Sequence, residues 1–243
     1  YTINFSALMD LYDEIIVCVK SPEQLLDFLY NQSPTEYEIT HTHCFNSALI
    51  CGVFADWLNF KDSEKATLIQ AGFVYDIGKL LLPPALLWKS GRYTPEETMQ
   101  MQTHTRLGYQ IAIDAAVPET VARTILTHHE KVNGTGYPNG LKTSDILKYS
   151  KVLSIVDSYE AMTAARTYRR PMMPFEIISI LHNDGARKYD NVYLIPLLCH
   201  LAQIQIGSKV RLSDGRVASV KYINKNDLSH PILIDEQEKL IDT

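Results

Sequence analysis

The chain has 243 residues, 46% of them hydrophobic, enough for one large domain or a domain with a small appendage around a substantial core. A net charge of −5 argues against a general binder of duplex nucleic acid, which needs a basic face for the phosphates, and no apolar run approaches the roughly 18 to 20 residues that span a bilayer. Cys18, Cys44, Cys51 and Cys199 lie in apolar surroundings without a C-x-x-C pair, so reduced core thiols and a cytoplasmic location are expected.

In chain order, Phe5 to Tyr30 reads as two short amphipathic helices, the second capped by Ser21 with Pro22 at its first position. Residues 1–37 are expected to form this helical lead-in. After the polar stretch Asn31 to Glu38, Phe45 to Phe60 reads as a buried helix with His43 in its first turn. The next helix, Asp62 to Tyr75, is apolar at Ala66, Ile69, Phe73 and Val74 and delivers Tyr75-Asp76-Ile77-Gly78-Lys79 at its end. Pro83 and Pro84 break the path. Thr94-Pro95-Glu96-Glu97 then opens a helix with a capping box, placing His104 about three turns in.

Pro118 starts a helix that runs to His128-His129, and Asn133-Gly134-Thr135-Gly136 turns the chain. From Ile146 to Val156 the pattern is almost wholly apolar yet leads straight to Asp157, a carboxylate that needs a cation if it is to be buried. Beyond Arg166-Thr167-Tyr168-Arg169-Arg170-Pro171, helices at Pro174 to Asn183 and Asp190 to Ile204 complete the body. After Gly207 the texture changes to short β-like runs at 209–212, 217–223 and 232–234. The expected fold is mainly α, a helical bundle over 38–205 with a small β-rich appendage over 206–243.

His43, Asp76, His104, His128, His129 and Asp157 recur at intervals of roughly a helix plus a turn. Bundle helices that each point one polar residue inward assemble a metal site in this way. Nitrogen and carboxylate donors without thiolate favour iron, manganese or zinc over a soft copper site. His182, His200 and His230 read as ordinary core or surface residues.

The motifs Tyr75-Asp76-Ile77-Gly78-Lys79, His104-Thr105-x-x-Gly108, HHE-x-x-NG-x-GYP from His128 to Pro138, and Asp157-x-x-x-Ala161-x-Thr163-x-x-Arg166-x-Tyr168-Arg169 fall in order. Together they resemble the HD-GYP domain family over about residues 38 to 205. The resemblance implies a helical HD-superfamily fold and a phosphodiesterase that hydrolyses cyclic dinucleotides, chiefly cyclic di-GMP, to linear pGpG or GMP. Two divalent metal ions, iron or manganese, are implied, with Asp76 bridging them, His104, His128 and His129 completing one site, and His43 and Asp157 serving the other. A hydroxide bridging the ions would be the nucleophile, since coordination lowers the pKa of water toward neutrality. Lys79 and Arg166 would neutralise charge on the phosphoryl oxygens. Gly136, Tyr137 and Pro138 would shape the dinucleotide pocket, Arg169 would add a phosphate contact, and Glu160 stands where the family often has aspartate near the substrate. The implied partners are a diguanylate-cyclase (GGDEF) domain or an upstream sensor. A chain starting at Tyr1 is consistent with an excised fragment whose upstream region could carry a membrane anchor.

The departure is Tyr75, which stands where the first residue of the family's HD pair is a metal-binding histidine. Phenol has a pKa near 10 and binds metal well only as phenolate, so the site served by His43 is expected to be weakened or empty. The outcomes are slower two-metal catalysis, a one-metal site with little activity, or a degenerate module that binds nucleotide or a signalling partner without cleaving. A third-metal glutamate of some members is absent, Ile39 holding its place with Glu38 and His41 nearby.

Overall fold

The computed structural model describes residues 2–31, 39–164, 171–212 and 214–241. Helices α1 (Phe5–Cys18) and α2 (Pro22–Tyr30) each start on a polar side chain: Asn4 Oδ1 accepts from the Ala7 amide and Ser21 Oγ from the Gln24 amide. Helix α3 (Ile39–Trp57) begins six residues before the expected Phe45, because the sequence offers no glycine or proline between Pro34 and Gly52 to stop it. His43 therefore lies in its second turn, not its first. The helix ends earlier than expected as well. Asn59 adopts a left-handed φ of 54°, and the Phe60 amide closes back on the Ala55 carbonyl at 2.9 Å, the six-to-one bond of a helix stop.

Helix α4 (Asp62–Val74) packs back along α3, and a 3-10 turn (Ile77–Leu81) and the short α5 (Pro84–Leu87) follow. The single helix expected from Pro95 is two: α6 (Pro95–Gln102) and α7 (His104–Asp114). Three successive carbonyls at the break accept hydrogen bonds from side chains just beyond them. Thr103 Oγ1 donates to Gln100 O, His104 Nδ1 to Met101 O and Thr105 Oγ1 to Gln102 O, at 2.6, 2.7 and 3.1 Å. His104 thus opens α7 instead of riding mid-helix. Helices α8 (Glu119–Thr127), α9 (Lys148–Thr163), α10 (Pro174–Asn183) and α11 (Asn191–Gln203) complete the helical body.

At Gly207, φ 88°, the chain leaves the helices for a four-stranded antiparallel meander, β1 (Lys209–Arg211), β2 (Val217–Asn224), β3 (Asp227–Asp235) and β4 (Leu240–Ile241), in the order β1-β2-β3-β4. Lys209 pairs with Ser219, Val220 with Leu233 and Ile234 with Leu240. Val220 and Leu233 are buried, and β3 packs on α10 and α11, so the fold is mainly α with a small sheet. One apolar cluster runs from Leu25 of α2 through Leu49 and Phe54 of α3, Ile69 of α4, Ile125 of α8 and Leu153 of α9 to the sheet. Each such fully buried side chain contributes about 1.5–3 kcal/mol. That surround holds a polar site at the centre of the bundle.

Candidate metal centre

Asp76 sits on the turn after α4, fully buried, and Gly78 brings that turn onto α7. A Cβ at Gly78 would lie 1.9 Å from the His104 carbonyl oxygen and 2.5 Å from the Gly108 amide nitrogen, so only glycine permits the approach. His128 is placed from the other side, as the residue that ends α8. One ligand atom each from Asp76, His104, His128 and His129 then lies within 4.8 Å of the others.

The protons on these groups follow from their outer partners. His104 Nδ1 points at Met101 O and His128 Nδ1 at Ile125 O, both at 2.7 Å, and a carbonyl can only accept. Both rings therefore carry their proton on Nδ1. Burial holds all three imidazoles neutral: His128 is pulled down to about 4, helped by His104 beside it, while His104 is lowered and His129 lies well below the usual range. Two bare Nε2 lone pairs thus face each other at 3.4 Å, with Asp76 Oδ1 at 3.3 Å from the first and 3.9 Å from the second. That oxygen is buried without a hydrogen-bond partner. Converging acceptors with no proton among them repel one another unless a cation lies between, so these residues fit a divalent metal ion.

The remaining groups are arranged differently. The other oxygen of Asp76 accepts from Lys79 Nζ at 2.5 Å. Burial alone would lower the Lys79 pKa, but the Asp76 charge raises it, so the ammonium is kept. His43 Nδ1 donates to Glu160 Oε2, while its Nε2 lies 3.0 Å from Asp157 Oδ1. Against the cost of burial, the two carboxylates push His43 up to about 10. Tyr75 is fully buried, its hydroxyl 3.3 Å from Asp157 Oδ1 and 3.2 Å from Ser47 Oγ, and burial with the nearby Asp157 charge keeps it a phenol. Glu160, expected beside substrate, is instead 3% exposed beneath His43, and its second oxygen accepts from Asn46 Nδ2 at 3.1 Å.

The glycine-rich turn covers the histidine pair. Gly136 lies against the backbone just after it, where a Cβ would fall 2.3 Å from the Lys131 amide nitrogen, and this seats Tyr137 with its ring 4.6 Å from that of His129. Three residues given no role in the sequence analysis hold this region. Glu130 accepts from the Asn139 and Leu141 amides at 2.7 and 2.8 Å, and Arg106 donates to Pro138 O and Asn139 Oδ1 at 3.1 and 2.9 Å. Lys131 donates to Ser154 Oγ at 2.8 Å with its ammonium 4.4 Å from the Tyr189 ring centre, and burial pulls it down to about 8. A turn with several free amides needs an acceptor, and Glu130 beside the His pair is the available carboxylate. Gly136 and Tyr137 border the centre, while Pro138 is held through its carbonyl by Arg106; Arg166 and Arg169 lie outside the described residues.

A family model for the HD domain matches residues 24–192. Among curated relatives, a cyclic di-GMP phosphodiesterase of Thermotoga maritima is 34% identical over 134 residues, 54% of this chain and 36% of that protein. A second cyclic di-GMP phosphodiesterase, from Pseudomonas aeruginosa, is 29% identical over 213 residues, 87% of this chain and 51% of that protein. The chain thus spans about half or less of the length of these relatives. A solved structure of Bd1817, a HDG"Y"P protein from Bdellovibrio bacteriovorus, superposes with a TM-score of 0.64 at 21% identity, over 79% of this chain and 62% of that one, which shows a shared fold.

Proposed function

Because the chain belongs to the HD domain family, we propose that it is a metal-dependent phosphodiesterase that opens cyclic dinucleotides, cyclic di-GMP foremost, to linear pGpG or GMP. The observation that carries this reading is the buried Asp76 Oδ1 facing two unprotonated imidazole nitrogens beneath the Tyr137 turn. Asp76, His104, His128 and His129 would hold the ion, with iron or manganese suited to the mixed nitrogen and oxygen donors. Bound there, a divalent ion would supply an acidified water for attack at phosphorus and positive charge for the leaving oxygen.

The chain's own groups do the rest. Lys79, its ammonium fixed on Asp76 and its side chain 23% exposed, presents positive charge to a phosphoryl oxygen. Arg166 and Arg169 are assigned the same electrostatic work from the motif they occupy. Tyr137 offers a ring face on which a base can stack, and Glu130 with Arg106 keeps that face in place. The names of the relatives support the substrate class.

The proposal divides the chain into a lead-in (1–37), a catalytic body (38–205) and an appendage (206–243). It places the domain in the cytoplasm, supported by the free thiols of Cys18, Cys44, Cys51 and Cys199. A diguanylate-cyclase or sensor partner is carried by the family resemblance alone. In this segment, among the described residues, no helix is long and apolar enough to cross a membrane.

The test is direct. Metal-stripped protein reloaded anaerobically with Fe(II) or Mn(II) is expected to convert cyclic di-GMP to pGpG or GMP, and the stripped protein is not. Metal-loaded protein that binds the nucleotide without product would leave the second reading, a non-catalytic binding module, which Tyr75 within the site favours.

A further inference from the structure

We propose that this centre holds a single divalent ion, because the Lys79 ammonium and the Tyr75 phenol take up the groups that a second ion would need. The inference rests on the metal-centre reading above and concerns its stoichiometry.

A carboxylate that bridges two ions offers one oxygen to each. Here the two oxygens of Asp76 are unlike. Oδ1 faces His104 and His128 with no hydrogen-bond partner, whereas Oδ2 accepts from Lys79 Nζ at 2.5 Å. A positive charge already stands where the second cation would bind.

One oxygen of Asp157 and both ring nitrogens of His43 are committed as well. Asp157 Oδ1 lies within hydrogen-bond reach of both His43 Nε2, at 3.0 Å, and the Tyr75 hydroxyl, at 3.3 Å. His43 Nδ1 is tied to Glu160, which is anchored in turn by Asn46. The Tyr75 hydroxyl has Ser47 Oγ as its other neighbour. Its ring stands edge-on to His43 and His128, with centroids 5.7 and 4.9 Å away, and so fills the space between the two groups of side chains. A phenol there supplies a proton donor to Asp157 where a neutral imidazole would supply a lone pair. The second position is closed by hydrogen bonds among the chain's own residues.

The experiment measures ions without substrate. Protein loaded anaerobically with Mn(II) and freed of excess metal is assayed by elemental analysis against protein concentration, with the same sample read by electron paramagnetic resonance. One Mn(II) per chain and the six-line signal of an isolated ion are expected; two ions per chain, or the multiline signal of a coupled pair, overturn the proposal. Tyr75→His is expected to raise the count toward two, and a folded Tyr75→His protein that stays at one overturns the role given to Tyr75. If that variant does not fold, the wild-type count decides alone. No bound ion would remove the metal centre and the phosphodiesterase reading with it, whereas one ion without turnover would remove only the catalytic reading.

Discussion

Two groups of side chains lie back to back across Asp76, and they are built from the same residue types. On one side His104, His128 and His129 gather round Asp76 Oδ1, and the bare Nε2 atoms of His104 and His128 meet that oxygen with no proton between them. On the other, His43 joins Asp157 and Glu160, and His43, Lys79 and Tyr75 stand within hydrogen-bond reach of the carboxylate oxygens. Histidines and carboxylates do not by themselves mark a metal site. What separates the two is where the protons sit, and that is set by the outer partner of each ring: a backbone carbonyl turns a bare nitrogen inward, while a pair of carboxylates holds an imidazolium.

The sharpest way to break this contrast is to delete one imidazole from each side. His128→Ala is expected to weaken Mn(II) binding by at least about 100-fold, more than the loss of an outer partner causes, and to abolish turnover with it. His43→Ala should change Mn(II) affinity by less than about 10-fold on the same scale. Equal losses, measured by calorimetric titration, would erase the distinction. Gly78→Ala attacks the junction itself, since the new methyl meets α7 backbone; a loss of about 1–3 kcal/mol in urea unfolding together with weaker metal binding is expected.

Smaller effects sharpen the comparison. Glu160→Gln removes the charge under His43 and should cost about 2 kcal/mol of stability while leaving Mn(II) affinity unchanged. Glu130→Gln leaves one of two turn amides without an acceptor, so about 1 kcal/mol of stability is lost and KM for cyclic di-GMP rises more than kcat falls.

The two sides also respond to pH with opposite sign. His104, His128 and His129 have folded pKa values below the unfolded value of about 6.5, so the unfolded chain binds more protons and metal-free stability falls as pH drops from about 6.5 toward 4. His43 is raised to about 10, so its contribution is full below about 6.5 and is lost as pH climbs toward 10. Urea midpoints of metal-free protein should therefore peak near pH 6.5. A monotonic rise or fall across that range would contradict the assignment.

Much of this was legible in the residues. His128-His129, the Asp76 turn and the Thr94 capping box carry short-range signals, and Gly136 and Gly78 fall where backbones meet. The break at Thr103 was not legible, because no glycine or proline marks it and the side chains of Thr103, His104 and Thr105 compete locally for the carbonyls. Nor was β3 seen at full length. Pro231 obscures a strand that begins at Asp227, and the register shifts between Tyr222 and Asn224 around it. The pairing of Glu160 with His43 spans 117 residues, and no local pattern encodes it. Sequence spacing can name the donors of a site, but the state of their protons depends on partners that only the fold supplies.

Anomalous diffraction at the manganese edge from crystals grown with Mn(II) tests the central claim most directly. The account predicts one strong peak within bonding distance of Asp76 Oδ1 and of nitrogens of His104, His128 and His129. A peak seated instead between His43 and Asp157, or none at either place, would contradict it.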